Sequence, residues 1–69
     1  MMTVFINGES QQVNDGITIG QLLENLNLSQ KRLAVEINLD IVPRSGFANH
    51  KLKEQDKIEI VQAIGGGSR

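Results

Sequence analysis

The 69-residue chain has no cysteine, no tyrosine and no tryptophan, and only one proline and one histidine. Without thiols there is no disulfide framework, no thiolate nucleophile, no Cys-x-x-Cys redox pair and no Cys-ligated zinc or iron–sulfur site. His50, set among the polar residues of an irregular stretch, has no evident catalytic partner or second ligand, and reads as an ordinary surface or boundary histidine. Two phenylalanines are the only aromatics, which leaves little for stacking on bases. Seven Lys plus Arg stand against eight Asp plus Glu, so no basic surface is offered to phosphates and nucleic acid is not an expected partner. The carboxylates are dispersed, as on a solvated surface. No run approaches the roughly 20 apolar residues that a membrane helix needs, and the amino end lacks the basic and apolar regions of a secretory signal. A cytoplasmic protein with no membrane partner is expected.

At this length the chain makes one small domain, and 39% apolar residues suffice for one core. Thr3 to Asn7 is β-branched and aromatic, and stops at Asn7-Gly8, the pair that best tolerates positive φ in a tight hairpin. Ser10 to Val13 returns as a strand whose Gln11 and Gln12 mark it as an edge. Thr18 and Gln21 have the spacing of a capping box. Ile19, Leu22, Leu23 and Leu26 then form the i, i+3, i+4, i+7 stripe of an amphipathic helix. Gly20, within its first turn, costs up to about 1 kcal/mol relative to Ala and points to a close backbone approach.

Alternation resumes from Leu33 to Asn38, with Val35 and Ile37 opposite Ala34 and Glu36. Ile41-Val42 is a short strand that Pro43 ends. Arg44 to Leu52 shows neither period and reads as a loop with at most one helical turn. In the last strand, Ile58 and Ile60 face one way, Glu59 and Val61 the other, and the chain continues through Gln62-Ala63-Ile64 into Gly65-Gly66-Gly67-Ser68-Arg69.

A hairpin, a helix, two strands and a final strand placed beside the first give an α+β fold, a mixed sheet wrapped on one helix, which is the β-grasp. Residues 1–64 form that domain and residues 65–69 a flexible carboxy-terminal tail. The expected core is Val4, Ile6, Ile19, Leu22, Leu23, Leu26, Val35, Ile37, Ile58 and Ile60. If Ile58 and Ile60 face the helix, Val61 and Ala63 lie on the opposite sheet face with Phe5 beside them, an exposed apolar patch next to the tail; scattered surface apolar residues are the alternative.

The glycine run is no phosphate loop, because such loops continue into a helix whose amino-terminal dipole holds the anion. It reads either as a frayed terminus or as a tail without Cβ atoms that can thread a narrow cleft. Ile41-Val42-Pro43-Arg44-Ser45, a bulky residue at Phe47, Lys57-Ile58-Glu59-Ile60-Val61 and Ala63-Ile64-Gly65-Gly66-Gly67 resemble the ThiS family, the ubiquitin-like sulfur carriers of thiamine thiazole biosynthesis. Phe5-Ile6-Asn7-Gly8 and the helix around Leu22-Leu23 fit it too, so the resemblance covers residues 2–67.

The resemblance implies that an adenylyltransferase of the ubiquitin-activating-like, ThiF type adenylates the Gly67 carboxylate, that sulfur transfer makes a thiocarboxylate, and that a thiazole synthase of the ThiG type receives the sulfur. Gly65 and Gly66 would thread the partner's cleft. Phe5, Val61, Ala63 and Ile64 would face the partner. The chain would be a protein-bound substrate and no enzyme, binding no cofactor or metal itself, while ATP is used by the activating partner.

Two departures stand out. Asn38-Leu39-Asp40 replaces the family's glycine turn, and because Leu39 takes positive φ at a cost, a longer or differently shaped turn is expected. Ser68-Arg69 follow the glycine that ends the family's chains; an added scar, an extension that is trimmed, and a chain that does not carry sulfur each account for them. A molybdenum-cofactor sulfur carrier and a non-catalytic β-grasp binding module, such as one recognising RNA, are the competing functions. The Val-Pro-Arg-Ser segment argues against the first, and the charge balance and scarce aromatics against the second.

Overall fold

Met2–Ile6 forms strand β1, and the two residues after it set the first fold. Asn7 (φ 50°) and Gly8 (φ 88°) both lie in the left-handed region, the condition for the two-residue turn that matches strand twist. The chain therefore reverses at once into β2 (Glu9–Val13), with Ile6 opposite Glu9. The computed structural model describes residues 1–62, so Ala63, Ile64 and the expected tail of residues 65–69 lie outside the described residues. Helix α1 (Ile19–Asn25), strands β3 (Leu33–Ile37) and β4 (Asp40–Val42), a 3₁₀ turn at Arg44–Gly46 and strand β5 (Lys57–Gln62) follow.

The strands form one mixed sheet in the order β2-β1-β5-β3-β4. β5 sits in the centre, parallel to β1 and antiparallel to β3, and the polar β2 is an edge, as its glutamines imply. The helix begins where the capping box predicts. Gln21 N donates to Thr18 Oγ1 at 3.1 Å, and Thr18 N donates to Gln21 Oε1 at 3.0 Å. Two further first-turn amides are met by the irregular segment: Ile19 N donates to the His50 carbonyl and Gly20 N to the Phe47 carbonyl, both at 3.0 Å. Gly20 is thus a point of close approach, although a Cβ built there would meet Phe47 O at an ordinary 3.6 Å.

The helix ends at Asn25 with Leu26 as its cap, and the φ of 61° at Asn27 just beyond lets the Leu28 amide donate to Leu23 O at 2.7 Å and the Asn27 amide to Glu24 O at 3.0 Å. These paired bonds satisfy the Leu23 and Glu24 carbonyls and fold Leu28 back onto the core.

Eight of the ten expected core residues are buried; Leu26 and Ile60 pack against the core half-buried. Met2, Val13, Ile17 and Leu52 complete it. Ile17 and Leu52 are brought together by a 2.8 Å bond from Leu52 N to Ile17 O, which ties the aperiodic stretch to the start of the helix.

The β3–β4 turn corrects one expectation. It is a tight two-residue turn, with Asn38 at φ 51° and Leu39 at φ 76°, and Ile37 directly opposite Asp40. The cost at Leu39 is borne because Asn38 is anchored to β5: Asn38 N donates to Lys57 O at 2.8 Å, Lys57 N donates to Asn38 Oδ1 at 3.0 Å, and Asn38 Nδ2 donates to Asp56 Oδ1 at 3.0 Å. Asp56 is buried and its other oxygen accepts from Lys53 N at 2.8 Å, so this carboxylate has a donor on each oxygen.

Candidate functional site

β5 is the strand that delivers the chain towards the glycines, and it is held on both sides. β3 pairs with it from Ile37↔Ile58 through Leu33↔Gln62, so that edge is covered to the last described residue. On the other side β1 pairs only as far as Ile6↔Ile58. Asn7 carries the contact further, its amide donating to Ile58 O at 2.8 Å and its side chain reaching Ile60.

The sheet has an inner face on α1 and an outer face without a covering element among the described residues. Strand alternation and register decide what the outer face presents. Phe5, half-buried, lies between Ser10 and Lys57; Glu59 is opposite Glu36, which is opposite Ile41; Val61 is opposite Ala34. Val61 and Ile41 are 58% and 72% exposed, which makes them available to a partner.

Phe5 and Val61 share this face. They do not touch: Val61 is four residues beyond Lys57 along β5, about 13 Å at the usual rise per residue. Between them stands Glu59. Phe5 instead borders a shallow hollow of about 200 Å³ lined also by Gly8, Lys57, Ile58 and Glu59. The outer face is therefore mixed, apolar at Phe5, Val61 and Ile41 around two opposed carboxylates. Like charges directly across a strand pair are unfavourable within the fold, and a cationic group on a docked partner would relieve them. Ala63 and Ile64, the other expected interface residues, lie outside the described residues, as do Gly65, Gly66 and Gly67. The candidate interface lacks Ile41 and the Glu36–Glu59 pair: alternation gives Glu59 the same side as Val61, but only strand register sets it opposite Glu36, and Glu36 opposite Ile41.

His50 takes part through its backbone, its carbonyl accepting from Ile19. Among the described residues no group of three or more His, Asp or Glu side chains is placed to hold a metal ion, and no helix is long and apolar enough to cross a membrane.

Three kinds of similarity converge on one family. The model of the ThiS family matches residues 4–67. The sulfur carrier protein ThiS of Escherichia coli is 38% identical over 66 residues, covering 96% of this chain and 100% of that protein. A thiazole synthase of Paramagnetospirillum magneticum is 43% identical over 67 residues, which is 97% of this chain and 21% of the synthase, so this chain spans about a fifth of that relative's length. The crystal structure of the thiamine biosynthesis protein ThiS from Geobacter metallireducens superposes with a TM-score of 0.83 at 28% identity, covering 96% of this chain and 100% of that one. The sheet order, the capped helix α1 and this superposition make the fold a β-grasp. With the family pattern running through the glycines and a full-length carrier among its relatives, the chain belongs to the ThiS family of sulfur carriers.

Proposed function

We propose that the carboxylate of Gly67 is the group on which this chain carries sulfur, and that thiazole synthase is the acceptor. The observation that carries this reading is the extent of the family match, which runs to residue 67 and so includes Gly65-Gly66-Gly67. A free carboxylate is a poor electrophile. Adenylation with ATP on a ThiF-type partner converts it into an acyl adenylate, pyrophosphate leaves, and attack by the donor's sulfur on the acyl carbon expels AMP on the way to the thiocarboxylate. ATP and any metal belong to that partner. The chain itself acts as a protein-bound substrate, not as an enzyme.

In this division of labour the body supplies recognition and the tail supplies the reacting atom. Phe5 and Val61 on the outer face, with Ala63 and Ile64 at the base of the tail, meet the partner, while Gly65 and Gly66, having no Cβ, pass into its cleft. The thiazole synthase relative that carries a segment similar to 97% of this chain supports thiazole synthase as the acceptor. Gly67 has to be the last residue for activation, since Ser68-Arg69 would move the terminal carboxylate by up to about 7 Å at the reach of an extended chain. The test is capture by the chain ending at Gly67: retention of a thiazole synthase supports the proposal, whereas retention of the large subunit of a molybdopterin synthase in its place would assign the chain to the other sulfur-carrier pathway.

A further inference from the structure

Parallel pairing between β1 and β5 ends at Ile6↔Ile58, because Asn7 and Gly8 turn the chain away into β2. β5 continues to Gln62. At the point where β1 is lost, one side chain takes over: Ile60 N donates to Asn7 Oδ1 at 2.8 Å, and Asn7 Nδ2 donates to Ile60 O at 3.2 Å. A carboxamide presents an acceptor and a donor side by side, as a peptide group does, so Asn7 stands in for the next residue of a strand that is no longer there. The two bonds also fix which way round the amide lies, since exchanging its oxygen and nitrogen would set like groups against each other.

The residue must satisfy a second demand, the left-handed φ of 50° in the hairpin turn. Glycine meets that demand without a side chain, and ionised aspartate meets it with acceptors only. Asparagine meets both.

We propose that Asn7 is a positioning residue for the tail: by clamping Ile60 it keeps the end of β5 held from both sides and so sets where the chain towards Gly67 departs from the docked body. This rests on Gly67 being the reactive end. Seven residue steps separate Ile60 from Gly67, at most about 25 Å of extended chain. Without the clamp, the last residues of β5 are held by β3 alone, through Ala34↔Val61 and Leu33↔Gln62. A frayed root must be re-ordered each time the tail enters a partner's site, and misplacement of reacting atoms lowers the rate of the chemical step. Recognition through the outer face is untouched.

The experiment has two arms. In the full 69-residue chain, Asn7→Gly keeps a turn sequence that supports the same hairpin and removes the clamp, at the global cost of a glycine, which the helix amide and the destabilised control below report. Hydrogen exchange at the Ile60 amide should accelerate about tenfold beyond any change shared with the Leu22 amide of the helix. In the second arm, chains ending at Gly67 are assayed for adenylation. Asn7→Gly should lower kcat about tenfold with KM within about twofold, because the docked body is unchanged and the tail is less well placed. Val13→Ala, a core truncation in β2 remote from β5, serves as the destabilised control and should change neither constant. Unaltered exchange at Ile60, an unaltered kcat, or a loss of kcat that Val13→Ala reproduces would overturn the role of Asn7. An unsubstituted chain that is not activated at all would overturn the carrier reading and this role together.

Discussion

Replacing Leu39 by glycine should make the protein more stable, although it removes a large apolar side chain. Leu39 sits at φ 76° and is 86% exposed. A side chain with Cβ in the left-handed region costs about 1–2 kcal/mol, and glycine is free of that cost. Against this, glycine gives the unfolded chain more freedom to lose, about 0.5–1 kcal/mol. Burial contributes little at such exposure, so the strain wins by about 0.5–1 kcal/mol, a rise in Tm of about 2–8 °C for a domain of this size. Asn38→Gly in the same turn should go the other way. Its φ of 51° suits glycine equally well, but the substitution deprives the Lys57 amide and Asp56 Oδ1 of their partners, and a buried polar group left unpaired costs about 1–3 kcal/mol. Thermal and urea unfolding followed by circular dichroism measures both. A lower Tm for Leu39→Gly, or a change of the same sign for both variants, would refute the argument that Asn38 anchors a strained Leu39.

Leu23→Ala removes a side chain that is 3% exposed beneath the helix and should cost about 2–5 kcal/mol, a large share of the stability of so small a domain; an unchanged urea midpoint would refute its place in the core. Val61→Asp, on the outer face at 58% exposure, should leave stability within about 1 kcal/mol while weakening binding to the activating partner, since it sets a third carboxylate near Glu59 and Glu36; a folded variant that binds as well as the unsubstituted chain, measured by calorimetry, would remove Val61 from the interface.

What the sequence disclosed is what short-range geometry controls. The Thr18–Gln21 box, the helical stripe and the alternation in β3 and β5 depend on neighbours within a turn or a strand, and each stands where the pattern puts it. Leu52 escaped because its burial follows from a bond to Ile17, 35 positions earlier, in a segment with no periodicity. Leu39 misled because its turn is tight only through the anchorage of Asn38 to Asp56 and Lys57, on the far side of the irregular segment. Alternation alone sets Val61 and Glu59 on one side of β5, yet that Phe5 stands beside Lys57, about four strand residues short of Val61, depends on register between strands distant in sequence. The glycine tail is a different matter. Composition equally describes a linker, and only its resemblance to a family gave it a chemical role.

The central claim is that Gly67 becomes an acyl donor, and intact mass measures it directly. The chain ending at Gly67 is incubated with the activating enzyme, ATP and a sulfur donor, beside the 69-residue chain and a carrier known to be converted. Replacement of one carboxylate oxygen by sulfur adds about 16 Da, the mark of a thiocarboxylate in this acyl-transfer role. The account predicts that shift on the chain ending at Gly67, its loss on Gly67→Ala or its marked reduction, and little or none on the 69-residue chain. No shift on the chain ending at Gly67, with the control carrier converted alongside, would contradict it.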